Sequence, residues 1–252
     1  MDLSKKIIAH RVYEINRVGI DYFIGDLHGE YELFLKLMSI IEFDEKKDRV
    51  FSVGDLIDRG KCSYECLNLA SYNWFIPVLG NHEEMLLSSL NNQYMKYIWK
   101  ENGGGWWDDL KDKDKFALID ILIDKFSVTA TIEMVCGSVG LVHADYFFNK
   151  WPFDFEKWDS NLIKNLLWSR QTITTGTKSR VRGVDLLVSG HTPIKKPVII
   201  SNHLFLDTGC GHSPNESITN PKLTIAKMSP NGVEISMLGK KDFRSLLLNF
   251  SK

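Results

Sequence analysis

The chain has 252 residues, 44% of them hydrophobic, with 31 Lys plus Arg against 32 Asp plus Glu. That length suits an α/β domain burying roughly three quarters of its unfolded surface, and a single domain over residues 1–252 is the expectation. The lysine pairs at 5 and 6, 46 and 47, 195 and 196, and 240 and 241 never grow into a basic block, so nothing asks for nucleic acid or an anionic membrane.

The first twenty residues lack the apolar core of a signal peptide, and the most hydrophobic stretch, FALIDILIDKF, is broken by Asp120 and Asp124. A soluble, cytoplasmic protein is expected. Cys62, Cys66, Cys136 and Cys210 show no CxxC pairing and read as reduced, small buried side chains.

Strand and helix signals alternate through the first half. VGIDYFIGD has strand character, and Leu33, Phe34, Leu37, Met38 and Ile41 then recur at helical spacing. RVFSVGD and SYECLNLASY repeat the pair, and WFIPVLGN with EEMLLSSL repeats it again. Asp26, Asp55 and Asn81 thus recur at close to the roughly thirty-residue interval of one βαβ unit. Right-handed crossovers make the three strands parallel and bring their carboxyl ends to one edge.

A largely helical stretch follows from about 84 to 125. Then come the β-rich runs SVTATIEM, GSVGLVHAD, VDLLVSGHTP, PVIISNHLFLDTG and LTIAKMSPNGVEISML, the last turning at SPNG. No Pro/Gly/Ser-rich linker separates the halves. The expected fold class is α/β, with two packed mixed β-sheets flanked by helices.

Each core strand stops on a polar cluster: GDLHG, GDLIDRG, GNHE, VHAD and GHT. A Gly-Asp turn is common at strand ends and a lone His there is more often structural, so any single cluster is weak. Collected on one edge, however, they offer Asp26, His28, Asp55, Asn81, His143 and His191, enough for two metal ions if one carboxylate bridges them.

GDLHG, GDLIDRG, GNHE, LVHAD, LLWSR and SGHTP, in this order from 25 to 193, resemble the metallophosphoesterases, and among them the compact bacterial and phage branch of the PPP serine/threonine protein phosphatases. The resemblance implies a calcineurin-like fold and two divalent ions, manganese first, with iron, zinc or nickel as alternatives. Asp26 and His28 would hold the first ion, Asp55 would bridge, and Asn81, His143 and His191 would hold the second. A metal-bridging hydroxide would attack phosphoserine or phosphothreonine, with His82 as general acid, Asp58 behind it, and Arg59 and Arg170 on the phosphate. Phosphoproteins or phosphopeptides are the implied partners.

The residue chemistry supports those roles. Two divalent ions against Asp26, Asp55 and a hydroxide leave the site at about plus one, which attracts phosphate. Asn81 coordinates without cancelling that charge. Arg59 follows Asp58 directly, and Arg170 ends an amphipathic helix running over EKWDSNLIKNLLWSR. The tryptophans of NGGGWW read as core or lid packing rather than substrate contacts. His10, His203 and His212 read as surface or loop residues, with an allowance for His212 beside DTGCG. Two other functions stay open: hydrolysis of dinucleoside polyphosphates by the same metal core, and non-catalytic phosphoprotein binding. Asp58 and Glu83 favour the protein phosphatase pattern, and the intact ligand set disfavours a binder.

Overall fold

The computed structural model describes residues 7–154 and 159–249. The first sheet orders its strands as β12(Phe243–Leu248), β11(Gly232–Gly239), β10(Lys222–Ser229), β2(Asp21–Ile24), β3(Arg49–Ser52) and β4(Phe75–Pro77). The second runs β1(Ile8–Tyr13), β5(Ser127–Met134), β6(Gly137–Val142), β7(Leu186–Ser189), β9(His203–Phe205) and β8(Val198–Ile200).

All four residues of β2 are buried. Alternation is lost there because both faces of the strand are covered. One face meets the second sheet through Phe23, Phe51, Leu141, Val188 and Ile235. The other takes α1(Tyr31–Ile40), whose Phe34, Leu37 and Met38 fall on one helical face, and α5(Asp112–Lys125) through Leu118 and Leu122.

β2, β3 and β4 are parallel, with Ile24 opposite Ser52 and Ser52 opposite Pro77, as the crossover argument requires. Their three following turns therefore leave from one edge. In the second sheet, β6 and β7 are also parallel, with Leu141 opposite Val188. His143 and His191 follow at that end.

Four details differ from the sequence expectations. β1 and β12 carry no element in the sequence reading, because they are edge strands with irregular burial and no clean period. PVIISNHLFLDTG is a hairpin, broken at Ser201 with φ +59°, rather than one run. The helix predicted over 156–170 lies partly outside the described residues; what is described is α6(Ser160–Trp168). Arg170 lies beyond it and precedes α7(Gln171–Thr175), since Ser169 already has extended backbone. Among the described residues no helix is long and apolar enough to cross a membrane.

Candidate metal centre

The edge turns bring all six predicted ligands together. Asp26, His28, Asp55, Asn81, His143 and His191 are each at most 5% exposed. Their loops are wound tightly: of the seven non-glycine residues with positive φ among those described, five are His28, Asp55, Asp58, Arg59 and His191. Left-handed backbone is costly for such residues and persists where the surroundings over-determine it.

The imidazole tautomers follow from what each ring touches. His143 Nδ1 lies 2.8 Å from the Val53 carbonyl, which can only accept, so the proton sits there and Nε2 keeps a lone pair. That lone pair faces Asn81 Oδ1 at 2.8 Å and Asp55 Oδ2 at 3.6 Å. His191 donates from Nε2 to the Trp168 carbonyl at 3.3 Å, leaving Nδ1 free to face Asn81 Oδ1 at 2.8 Å. Four lone pairs thus converge with no proton among them.

The other side repeats the pattern. His28 donates from Nδ1 to the Ile57 carbonyl at 2.9 Å, and its Nε2 lies 3.6 Å from Asp55 Oδ2 and 3.9 Å from Asp26 Oδ2. Ligand atoms of His28, Asp55 and His82 lie within 4.8 Å of one another, as do those of Asp55, His143 and His191. Asp55 is common to both groups.

Electrostatics agree with a cation-binding donor set. Burial holds His28 and His143 below the ordinary histidine value and brings His191 down to about 3, so these rings stay neutral. Burial, then the carboxylates of Asp207 and Asp55, push Asp26 well up. Burial also opposes ionisation of Asp55, but positive charge on the His143, His82 and His28 rings, which arises only when they are protonated, outweighs it and holds its carboxyl below the usual range. Neutral imidazoles and crowded, buried carboxylates are the ligands a divalent ion takes.

His82 sits at the rim. Its Nδ1 donates to Asp58 Oδ2 at 2.6 Å, and its Nε2 accepts from Arg59 Nη2 at 3.1 Å. Burial lowers its pKa, yet Asp55 and Asp58 outweigh that and keep it above the ordinary value. Exposed Arg59 also touches His28 Nε2 and donates to His212 Nε2 at 2.9 Å. His212 therefore borders the centre. Arg170 is exposed, and its charge acts on His143 and His191.

Three buried acids went unassigned in the sequence. Glu83 accepts from the backbone N–H groups of Asp55, Leu56 and Gly80 at 2.8–3.0 Å, pinning the Asp55 turn. Burial and Asp55 raise it to about 8. Asp207 follows β9, and burial lifts it to about 6; its strand-then-Asp pattern echoes the earlier clusters. Asp145 accepts from the Thr172 backbone N–H and hydroxyl, both at 2.8 Å, and pairs with Lys178 at 3.2 Å. It fastens the start of α7, and Arg170 with it, to the His143 loop. His203 is fully buried in β9, contrary to its surface reading, because the Ser189 hydroxyl partners its Nε2 at 2.8 Å. His10 lies on β1, half-buried against Thr129 and Thr131.

Two packed mixed sheets whose edge turns gather a shared-carboxylate His/Asp/Asn cluster define a metallophosphoesterase architecture. Residues 22–221 match the calcineurin-like phosphoesterase model, and the chain belongs to that family, whose members are divalent-metal hydrolases. Among relatives, serine/threonine-protein phosphatase 2 of Salmonella typhimurium is 34% identical over 200 residues, 77% of this chain and 89% of that protein. The symmetrical bis(5'-nucleosyl)-tetraphosphatase of Actinobacillus succinogenes is 45% identical, but over 71 residues, 27% of this chain and 25% of that protein. A protein serine/threonine phosphatase structure from Saccharomyces cerevisiae shares the fold with a TM-score of 0.57 at 16% identity, covering 99% of this chain and 87% of that one.

Proposed function

We propose that this hydrolase removes phosphate from phosphoserine and phosphothreonine in proteins. The observation that carries the reading is the His82–Asp58 pair, 2.6 Å apart, set beside the cluster that shares Asp55. The likeness to a protein phosphatase over most of both chains supports the substrate class.

Asp26, His28 and Asp55 would hold one divalent ion and Asp55, Asn81, His143 and His191 the other, with manganese the first candidate. When bound, the ions supply Lewis-acid charge to the phosphoryl group and make water nucleophilic near neutral pH. Asn81 gives an oxygen lone pair without adding negative charge, which keeps the centre attractive to phosphate. Protonated, His82 presents Nε2–H to the departing serine or threonine oxygen, while Asp58 holds Nδ1–H and fixes the ring. The guanidinium forks of Arg59 and Arg170, both exposed at the rim, suit the phosphoryl oxygens.

The short, more identical match to a tetraphosphatase favours a second reading, hydrolysis of dinucleoside polyphosphates. Manganese-loaded protein assayed on phosphoserine, phosphothreonine and phosphotyrosine peptides and on diadenosine tetraphosphate separates the two. The expected result is a higher kcat/KM on the first two peptides than on the nucleotide; the reverse order supports the second reading.

A further inference from the structure

Asp58 is fully buried, and one His82 contact does not satisfy a buried carboxylate. Its remaining partners come from a distant stretch. Trp99 Nε1 donates to Oδ2 at 2.8 Å, alongside His82, and Trp106 Nε1 donates to Oδ1 at 2.8 Å. The Asp58 backbone N–H is taken by Ser63 Oγ at 2.9 Å. Both carboxylate oxygens are thus fixed, and the plane of the group with them.

The surrounding sequence is built for this contact. Trp99 lies near the end of α4(Gln93–Glu101) and Trp106 in the 3₁₀ helix Gly104–Asp109. Trp99, Trp106 and Trp107 pack edge to face with centroids 5.6–6.3 Å apart, so each indole is locked in place. Gly103 has φ +110°, and a Cβ there would lie 2.7 Å from the Arg59 nitrogen. A Cβ on Gly104 would lie 2.4 Å from the Trp99 ring, whereas one on Gly105 meets nothing within 4 Å. The first two glycines of NGGGWW let the segment close onto the Asp58 turn. Trp106, one of the two tryptophans read as packing in the sequence, therefore also binds, and what it binds is a carboxylate.

We propose that Trp99 and Trp106 are positioning residues for the His82–Asp58 pair, their indole N–H groups orienting the Asp58 carboxylate so that it aims the His82 ring. An indole donates, does not accept, and carries no charge. It fixes the carboxylate without competing for the ring proton, as a lysine or arginine would by neutralising it. This inference rests on the reading of His82 as proton donor.

The test is Trp106→Phe, which keeps a ring in a half-buried position and removes the N–H. Loss of a hydrogen bond to a charged group predicts a roughly 10-fold to 100-fold fall in kcat on a phosphoserine peptide. KM, bound manganese and turnover of 4-nitrophenyl phosphate, whose leaving group needs no proton, should hardly change. In an Asp58→Asn background the same substitution should cost nothing further. Equal losses on both substrates, an additive loss in that background, or no loss at all would overturn the proposal. Trp99→Phe should behave alike. Should it fail to fold, the Nε1–H resonances of Trp99 and Trp106 in the wild type serve instead: they should shift in Asp58→Asn, and unmoved resonances would count against the contact. Gly105→Ala should leave both activities intact. His82→Asn separates the layers: a loss confined to the phosphopeptide upholds the donor reading whatever Trp106 does, and equal losses sink that reading and this inference together.

Discussion

The two flanks of Asp55 are held by different means. On the flank carrying His28, Asp58, Arg59 and His82, every group comes from turns after β2, β3 and β4, within one parallel edge, and strained backbone and the indole pair fix their direction. On the flank carrying His143 and His191, both histidines come from the second sheet, and they meet Asn81, which follows β4 of the first. His143 reaches across to the Val53 carbonyl of the first, and Asp145 ties α7 to the same loop. The first flank is a local construction; the second depends on how two sheets lie against each other. On the proposed function, chemistry that needs aim would sit on the first, and part of the grip on phosphate, through Arg170, on the second.

Asp55 belongs to both flanks, so Asp55→Asn should do the most damage. Elemental analysis is expected to show loss of metal from both positions, with activity down by more than about 100-fold, beyond the loss from an outer-shell change. Two tightly held ions and normal turnover in that variant would mean that the flanks are independent.

Asp145→Asn should disturb the second flank alone. Loosening α7 weakens the hold on Arg170, so KM for a phosphopeptide should rise by about 10-fold while kcat falls less. A fall in kcat with unchanged KM would place Asp145 on the catalytic side instead.

The smallest effect is a displacement of the pH profile. Asp58 and Asp55 hold His82 above its ordinary pKa, and a donor must be protonated, so activity is lost as pH rises through that value. Removing the Asp58 charge in Asp58→Asn lowers the value, and the basic limb of kcat should move to lower pH. In Asp145→Asn the limb should stay where it is. Movement in both variants would erase the distinction between the flanks.

The same division governs what a single sequence reveals. The convergence of the six candidate ligands and His82 was legible because each sits within five residues of a strand end, where a polar cluster interrupts an apolar run. The indole contacts were not, since Trp99 and Trp106 meet Asp58 through tertiary closure over 41 and 48 residues. His203 looked like a loop histidine because its partner, Ser189, lies on another strand. Arg170 was a candidate from the sequence, but its setting depends on a break at Ser169 that amphipathic periodicity cannot show. Sheet class and the parallel β2–β4 edge followed from spacing, while the edge strands β1 and β12, half covered and without a clean period, did not.

The left-handed residues around the centre also make it a place where thermodynamic and catalytic optima diverge. Arg59 holds φ +66° with an exposed side chain, a conformation that costs an ordinary residue about 1–2 kcal/mol and glycine almost nothing. Replacing it with glycine releases that strain and, with it, a cation crowded against His28. The altered protein should melt at a higher temperature and bind phosphate less well. Selection for heat resistance alone would erode this turn first, and an active, thermostable descendant must gain its extra stability elsewhere.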